Sequence, residues 1–378
     1  MNPRAIDIDE RPFVLVWELT QACSLACDHC RADAQELRHP DELTTEEGEA
    51  LLNEASRFGE DQLIVFSGGD PLARDDAEHL VEYGVDQGLQ VTLTPSGTAS
   101  LTQDRIKGLD EAGLRRMALS LDGGSPRTHD EFRGEPGSFE ETLRAARQAR
   151  DAGIPLQVNT TVSARTVGEL PAIRNLVADL DAVLWSVFFL VPVGRGRVLD
   201  PISPERSDAV MEWLLDVADA ESFGVKTTEA PHYRRVAMEQ RRGEGGTATP
   251  AADTVGRRTG IRAGAGFAFV SHLGEVYPSG FLPSTAGNVR EDSLVDLYRD
   301  APLFESLRDP DQYSGKCGAC PYRHLCGGSR SRAYATTGDP LASDPLCPFV
   351  PPEYEGPLPD SWDADQVRSA TSTELADD

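Results

Sequence analysis

Lysine is almost missing from this chain of 378 residues: it occurs three times, at Lys107, Lys226 and Lys316, among 36 basic residues set against 63 acidic ones. The formal net charge of −27 argues against nucleic acid or an anionic membrane surface as partner, because either polyanion would be repelled at long range. The acidic excess runs the whole length, as in a salt-adapted, halophilic protein. In molar salt the Debye length is about 3 Å, so a dense carboxylate surface costs little self-repulsion. The expected outcome is that dialysis below about 0.1 M salt loosens the fold, read by far-ultraviolet circular dichroism; a chain fully folded there would contradict it. No apolar run approaches the 18 or so residues of a membrane span, and the longest, 182–193, is broken by Ser186. The first twelve residues lack the apolar core of a signal peptide, so the expected location is the cytoplasm. Apolar residues are only 39% of the chain, but they fall in strand-sized and helix-sized blocks, which excludes global disorder.

Cysteine is scarce too, at seven, and lies in two groups near opposite ends. An odd count at spacings of two or three residues favours metal or cluster ligation over disulfides. The first group, Cys23-x3-Cys27-x2-Cys30, follows an apolar strand at 13–19. A [4Fe-4S] cubane takes four ligands, so three thiolates on one loop leave one iron with an open position. Zinc fits less well, since a structural site wants four ligands and this spacing is not a finger pattern. The second group is Cys317-x2-Cys320-x5-Cys326 with Cys347 beyond it. Four thiolates suit either a structural zinc or a second [4Fe-4S] cluster. Beside an iron-sulfur loop the cluster is the favoured reading.

The first two-thirds alternates strand-like blocks (13–19, 62–67, 90–94, 116–121, 156–162 and 182–191) with amphipathic helices at 45–58, 75–87, 102–112, 138–152 and 167–180. Thr44 and Glu47 form a capping box before the first helix. The fold class is therefore α/β: a partial (β/α)6 TIM-like barrel with a small C-terminal iron-sulfur extension. Functional loops then belong at the C-terminal strand ends. The first cysteine loop sits at one, and Ser67-Gly68-Gly69-Asp70-Pro71 at the next, where two glycines are expected to open the backbone towards a ligand. The expected division is an extension at 1–12, the barrel at 13–240, a linker at 241–260, the auxiliary segment at 261–350 and a disordered acidic tail at 351–378. Within the auxiliary segment, 266–277 reads as a hairpin and 293–308 as a helix.

The cysteine loop resembles the Cx3CxΦC signature of the radical S-adenosylmethionine (SAM) superfamily, with His29 at the ring-bearing position, and Ser67-Gly68-Gly69-Asp70 resembles that superfamily's GGE motif, with Asp for Glu. The resemblance implies a [4Fe-4S] cluster on Cys23, Cys27 and Cys30 that chelates SAM and cleaves it reductively to a 5′-deoxyadenosyl radical, which abstracts hydrogen from the substrate. By the same resemblance Ser120 and Asp122 mark the ribose-contacting segment, Asn159 the adenosine site, Val191 the adenine end, and Arg133 a partner for the SAM carboxylate. The C-terminal part resembles the SPASM and twitch extensions that carry auxiliary clusters. A full SPASM domain brings two further cysteines, and Ile261 and Ser279 stand in those places here, so one auxiliary cluster is implied. A ferredoxin- or flavodoxin-type donor is implied as well.

Arg195, Arg197 and His232 are candidates to face the substrate cavity, where guanidinium forks suit carboxylates. The twitch-like spacing resembles the heme-synthase branch, which implies oxidative decarboxylation of two propionates of Fe-coproporphyrin III, with His232 or His272 as an axial ligand. The alternative is a SPASM-type maturase acting on a ribosomally made peptide.

Overall fold

Side-chain alternation decides which way each strand faces. In β1 (Val14–Thr20) Leu15, Trp17 and Leu19 are fully buried beneath helices, while Val14, Val16, Glu18 and Thr20 point to the opposite face. The computed structural model of the chain describes residues 7–243 and 261–359. β1 is followed by β2 (Leu63–Gly68), β3 (Gln90–Leu93), β4 (Arg116–Ser120), β5 (Leu156–Val162), β6 (Leu184–Phe189) and β7 (Gly224–Thr228), all parallel to their neighbours. Then come β8 (Phe267–Val270), β9 (Glu275–Tyr277) and β10 (Gly287–Asn288). They form one ten-stranded sheet in the order β10-β9-β8-β1-β2-β3-β4-β5-β6-β7.

Helices cover the outer face of the sheet: α1 (Thr45–Ser56), α2 (Ala77–Asp86), α3 (Gln103–Glu111), α4 (Pro126–Arg133), α5 (Ser138–Asp151), α6 (Leu170–Asp179), α7 (Pro204–Ala220) and α8 (Tyr233–Gly243). The α1 capping box is present, with Thr44 and Glu47 each accepting from the other's backbone N–H. Leu51, Leu52, Ile64, Leu80, Val91, Met117, Val158 and Trp185 belong to the continuous core between this layer and the sheet. The auxiliary segment adds α9 (Leu294–Asp300), α10 (Pro302–Arg308), α11 (Gly315–Gly318) and α12 (Arg330–Thr337).

The structure departs from the expected elements in four places. A seventh parallel strand, β7, joins the expected six; its sequence Gly-Val-Lys-Thr-Thr has one buried apolar side chain, too weak a pattern to stand out. β8 pairs with β1 in parallel, so the sheet crosses the expected boundary at 261. The helix expected over 293–308 is two helices, because Ala301 is extended and Pro302 starts α10 afresh. The sheet's inner face mixes polar with apolar side chains, where near-continuous apolar strands were expected. Of the expected linker and tail, 244–260 and 360–378 lie outside the described residues, as do 1–6.

That inner face carries two registered rows. Phe269, Val16, Val65, Thr92 and Arg116 form one across β8, β1, β2, β3 and β4. Ser120, Asn159, Ser186 and Lys226 form the other across β4, β5, β6 and β7. A concave wall with this many polar groups is built to hold something other than its own core.

Candidate active site

The loop bearing Cys23, Cys27 and Cys30 leaves β1 where the β1–β2 register slips, between Glu18 and Thr20. The exit of β2 holds it: Gly69 N–H donates to the Thr20 carbonyl at 2.8 Å and Asp70 N–H to the Ala22 carbonyl at 2.7 Å. A Cβ on Gly68, whose φ is +137°, would stand 2.2 Å from the Thr20 oxygen, and one on Gly69 2.3 Å from the Ala22 oxygen. Only glycine lets the two backbones lie this close. The Gly-Gly pair therefore admits the cysteine loop's own backbone, rather than opening N–H groups to a ligand as expected from the sequence. Asp70 is buried and caps the following turn at Leu72 N–H, 3.2 Å away; burial pushes its pKa up.

Around the three thiols the structure gathers Ser96, Asp122, His29 and Arg133. Cys23 Sγ lies 3.2 Å from Ser96 Oγ. Leu25 N–H donates to Cys23 Sγ at 3.4 Å and Ala34 N–H to Cys30 Sγ at 3.5 Å. Burial raises the Cys27 thiol to about 11, against the lowering effect of Arg133. Arg133 is the last residue of α4, whose Ser125 cap and left-handed Gly134 define an eight-residue helix. Its guanidinium donates to Asp122 Oδ2 and to the Ser96 carbonyl, both at 3.4 Å.

His29 stacks on Phe132 with centroids 4.7 Å apart and planes 8° apart, and its Nε2 is 3.8 Å from Asp122 Oδ2. Burial lowers its pKa to about 4, so the ring is neutral. Asp122 is buried, and although burial opposes it, the charge of Arg133 and the Thr161 N–H that donates to its Oδ1 at 2.7 Å hold its pKa below the ordinary value. Ser120 and Asn159 adjoin in one row, with Asn159 Oδ1 accepting from Gln157. Val191 lies buried just beyond β6. The sequence reading missed Ser96, although it sits at the C-terminal exit of the third strand, where the barrel rule placed functional loops.

The second cysteine group also converges. Cys317, Cys320, Cys326 and Cys347 line one pocket, beside Arg235 and Lys316. Backbone N–H groups of Asp344, Tyr322 and Gly328 donate to the sulfurs of Cys317, Cys320 and Cys326, each at 3.4 Å. Burial pushes Cys347 up to about 12 and also pushes Cys326 well above the ordinary thiol value. Such thiols ligate only by surrendering their protons to a metal. Amide N–H groups directed at sulfur fit anionic thiolates at both sites. Among the described residues, no three His, Cys, Asp or Glu side chains converge as tightly as a single ion would need.

Two of the three proposed substrate contacts, Arg195 and His232, are engaged elsewhere. Arg195 clamps the cysteine loop, donating to the Cys27 and Ala34 carbonyls at 2.9 and 3.0 Å. Arg197 is exposed. His232 is fully buried, with Nε2 3.2 Å from Ser207 Oγ and Nδ1 4.0 Å from Asp344. His272 is buried as well and bonds Glu18 at 2.7 Å, while Glu18 also pairs with Arg31 at 3.1 Å. Ser279, at one of the missing SPASM positions, donates to Glu229 Oε1 at 3.1 Å.

Comparison with known proteins adds three findings. Residues 17–172 match the model of the radical SAM superfamily. An AdoMet-dependent heme synthase of Methanosarcina barkeri is 40% identical over 347 residues, covering 92% of this chain and 99% of that protein, and an Fe-coproporphyrin III synthase of the same organism is 30% identical over 90% of this chain and 88% of its own. The crystal structure of Streptococcus suis SuiB bound to the precursor peptide SuiA superposes with a TM-score of 0.70 at 17% identity, covering 90% of this chain and 76% of that one.

Proposed function

The chain belongs to the radical SAM superfamily and is an enzyme, and from that premise we propose that it oxidatively decarboxylates two propionates of Fe-coproporphyrin III to vinyls, forming heme. The observation that carries this reading is the end-to-end match to a relative named AdoMet-dependent heme synthase. The rival reading, a peptide substrate, draws on more distant relatives named PqqA peptide cyclase, 29% identical over about 90% of this chain, and on likeness of fold.

Cys23, Cys27 and Cys30 are the proposed ligands of the [4Fe-4S] cluster that, when bound, supplies an electron to SAM at an open iron and so generates the hydrogen-abstracting radical. The protein's part is positional and electrostatic. Arg133 sets a fixed positive charge beside the thiolates, and Asp122 and the Ser96 carbonyl hold Arg133 in place. Arg195 ties the loop's carbonyls, keeping the three sulfurs in one arrangement through the reaction. The concave inner face encloses the substrate and excludes water, which would otherwise quench reactive species.

Conversion of each propionate to a vinyl removes one hydrogen atom, carbon dioxide and one electron. The proposed holder of an auxiliary [4Fe-4S] cluster able to accept that electron is the Cys317, Cys320, Cys326 and Cys347 cavity, a twitch-like arrangement. A ferredoxin- or flavodoxin-type protein is the proposed reductant. No helix among the described residues is long and apolar enough to cross a membrane; a cytoplasmic, salt-adapted enzyme is the corresponding proposal.

The test is anaerobic: protein given iron and sulfide, then SAM, dithionite and Fe-coproporphyrin III, with products separated by chromatography. A monovinyl intermediate followed by heme is the expected result, with about eight irons per chain. About four irons would return the C-terminal site to zinc. SAM cleavage with no change in the tetrapyrrole would refute the substrate.

A further inference from the structure

Two cations on the inner wall have no partner. Lys226 is the β7 member of the row Ser120–Asn159–Ser186–Lys226, and Arg116 is the β4 end of the row that begins at Phe269. Their flanking residues Val225 and Met117 are buried on the helix-covered side, so Lys226 and Arg116 face inward. Neither makes a hydrogen bond or an ion pair with any described residue. The buried or half-buried Arg31, Arg74, Arg105, Arg133, Arg235 and Arg332, by contrast, each pair with a carboxylate.

Arg116 acts on Lys226 through its charge. Enclosure by protein, and then the nearby charge of Arg116, lower the Lys226 pKa to about 8. β4 and β7 are three strands apart, so this proximity requires the sheet to curl and bring both across a common space. Lys226 nonetheless keeps an exposed side chain, and Arg116 a half-exposed one. Both side chains are thus open to solvent on the inner face of the sheet. Two like charges facing one chamber without a counterion cost free energy, and an anion entering between them would relieve it.

We propose that Arg116 and Lys226 form a carboxylate-binding site on the chamber wall, which takes a propionate side arm of the substrate and so fixes which part of the macrocycle faces the cluster loop. Lys226 offers a point charge and Arg116 a planar fork, a pair suited to one carboxylate approached from two sides. The site deepens the iron-tetrapyrrole reading and rests on it. It also supplies a cationic contact that Arg195, engaged with the cysteine loop, does not.

The test compares the parent with Lys226→Met, Arg116→Met, the double variant and Lys226→Arg in anaerobic titrations of Fe-coproporphyrin III followed at the Soret band, with its tetramethyl ester as control. Loss of each charge is expected to weaken binding of the free acid about 10- to 100-fold, with the ester nearly unaffected and Lys226→Arg largely restored. Substrate-free SAM cleavage should be unchanged, which separates a binding defect from a damaged cluster loop. A second readout uses the rarity of lysine: Lys107 is exposed beside Glu111 and Lys316 is buried against the Cys347 carbonyl. Acylation of Lys226 near pH 8, read by peptide mass spectrometry, should be suppressed by Fe-coproporphyrin III and not by its ester. Equal affinities in parent and double variant, or acylation insensitive to the free acid, would overturn the site while leaving the enzyme's assignment standing. A parent that binds no Fe-coproporphyrin III would overturn that assignment and the site with it.

Discussion

Cys27→Ala is expected to reduce SAM cleavage to background while leaving the chain folded. Cys27 is one of three sulfurs on the loop after β1, is 7% exposed, and is the thiol that burial raises to about 11. A neutral thiol there is stable without metal, so removing its sulfur costs the fold no more than a small buried side chain does, about 1–2 kcal/mol. The loss falls on ligation: two remaining thiolates cannot hold a cubane with a single open iron. Iron content should fall by about four per chain, and the electron paramagnetic resonance signal that SAM perturbs should vanish. The paired measurement is Cys317→Ala, which should spare that signal and the substrate-free cleavage of SAM while blocking heme formation. If Cys27→Ala still cleaves SAM, the iron site is elsewhere and the reading of the loop fails.

The largest stability effect is expected at Asp344. It is fully buried and accepts from Ser329 N–H at 2.7 Å, Leu346 N–H at 3.0 Å and Arg332 at 3.1 and 3.2 Å. Arg332 in turn donates to the carbonyls of Phe189, Leu190 and Glu229, at the ends of β6 and β7. This pair fastens the auxiliary cysteine segment to the barrel. Asp344→Ala leaves the guanidinium buried without its counter-charge and two backbone N–H groups without acceptors, a loss of about 3–5 kcal/mol. Urea unfolding should show it as a lower midpoint. Asp344→Asn, which keeps one acceptor, should lose less, and replacing Arg332 by Met together with Asp344 by Leu should recover part of the loss.

The pair also has a pH signature. Although burial opposes it, Arg332 and His232 hold Asp344 at about 2, below its ordinary 3.8. A carboxylate depressed in the folded state contributes fully above 3.8, and the contribution disappears as pH falls to about 2. A change under 1 kcal/mol in Asp344→Ala, or an acid midpoint that the substitution leaves untouched, would contradict this role.

How much of this was legible follows from which signals are local. Strand alternation in β1, the Thr44–Glu47 capping box and the cysteine spacings are written within a few residues, and each leads to its observed element. The fate of a polar side chain is not local. Arg195 lies next to glycines at a strand exit, as a substrate contact would, yet the carbonyls it meets belong to residues 27 and 34. His232 looks available in sequence and is sealed by Ser207 and Asp344, from two distant segments. α4 is almost wholly polar, and its buried residues His129, Phe132 and Arg133 are explained only by the site they face. Lys226 was invisible for the same reason that β7 was: one apolar residue among threonines does not announce a strand.

The parallel pairing of Val14 with Phe267 joins the opening of the chain to a point past two-thirds of its length. During synthesis the first strand therefore keeps one edge bare until that late segment has left the ribosome, and contacts this distant in sequence form slowly. The early thiols are made long before their flank is roofed over, so assembly of the metal centre is coupled to near-completion of the polypeptide. A shortened product lacking β8 would expose both a sticky margin and an oxidisable loop.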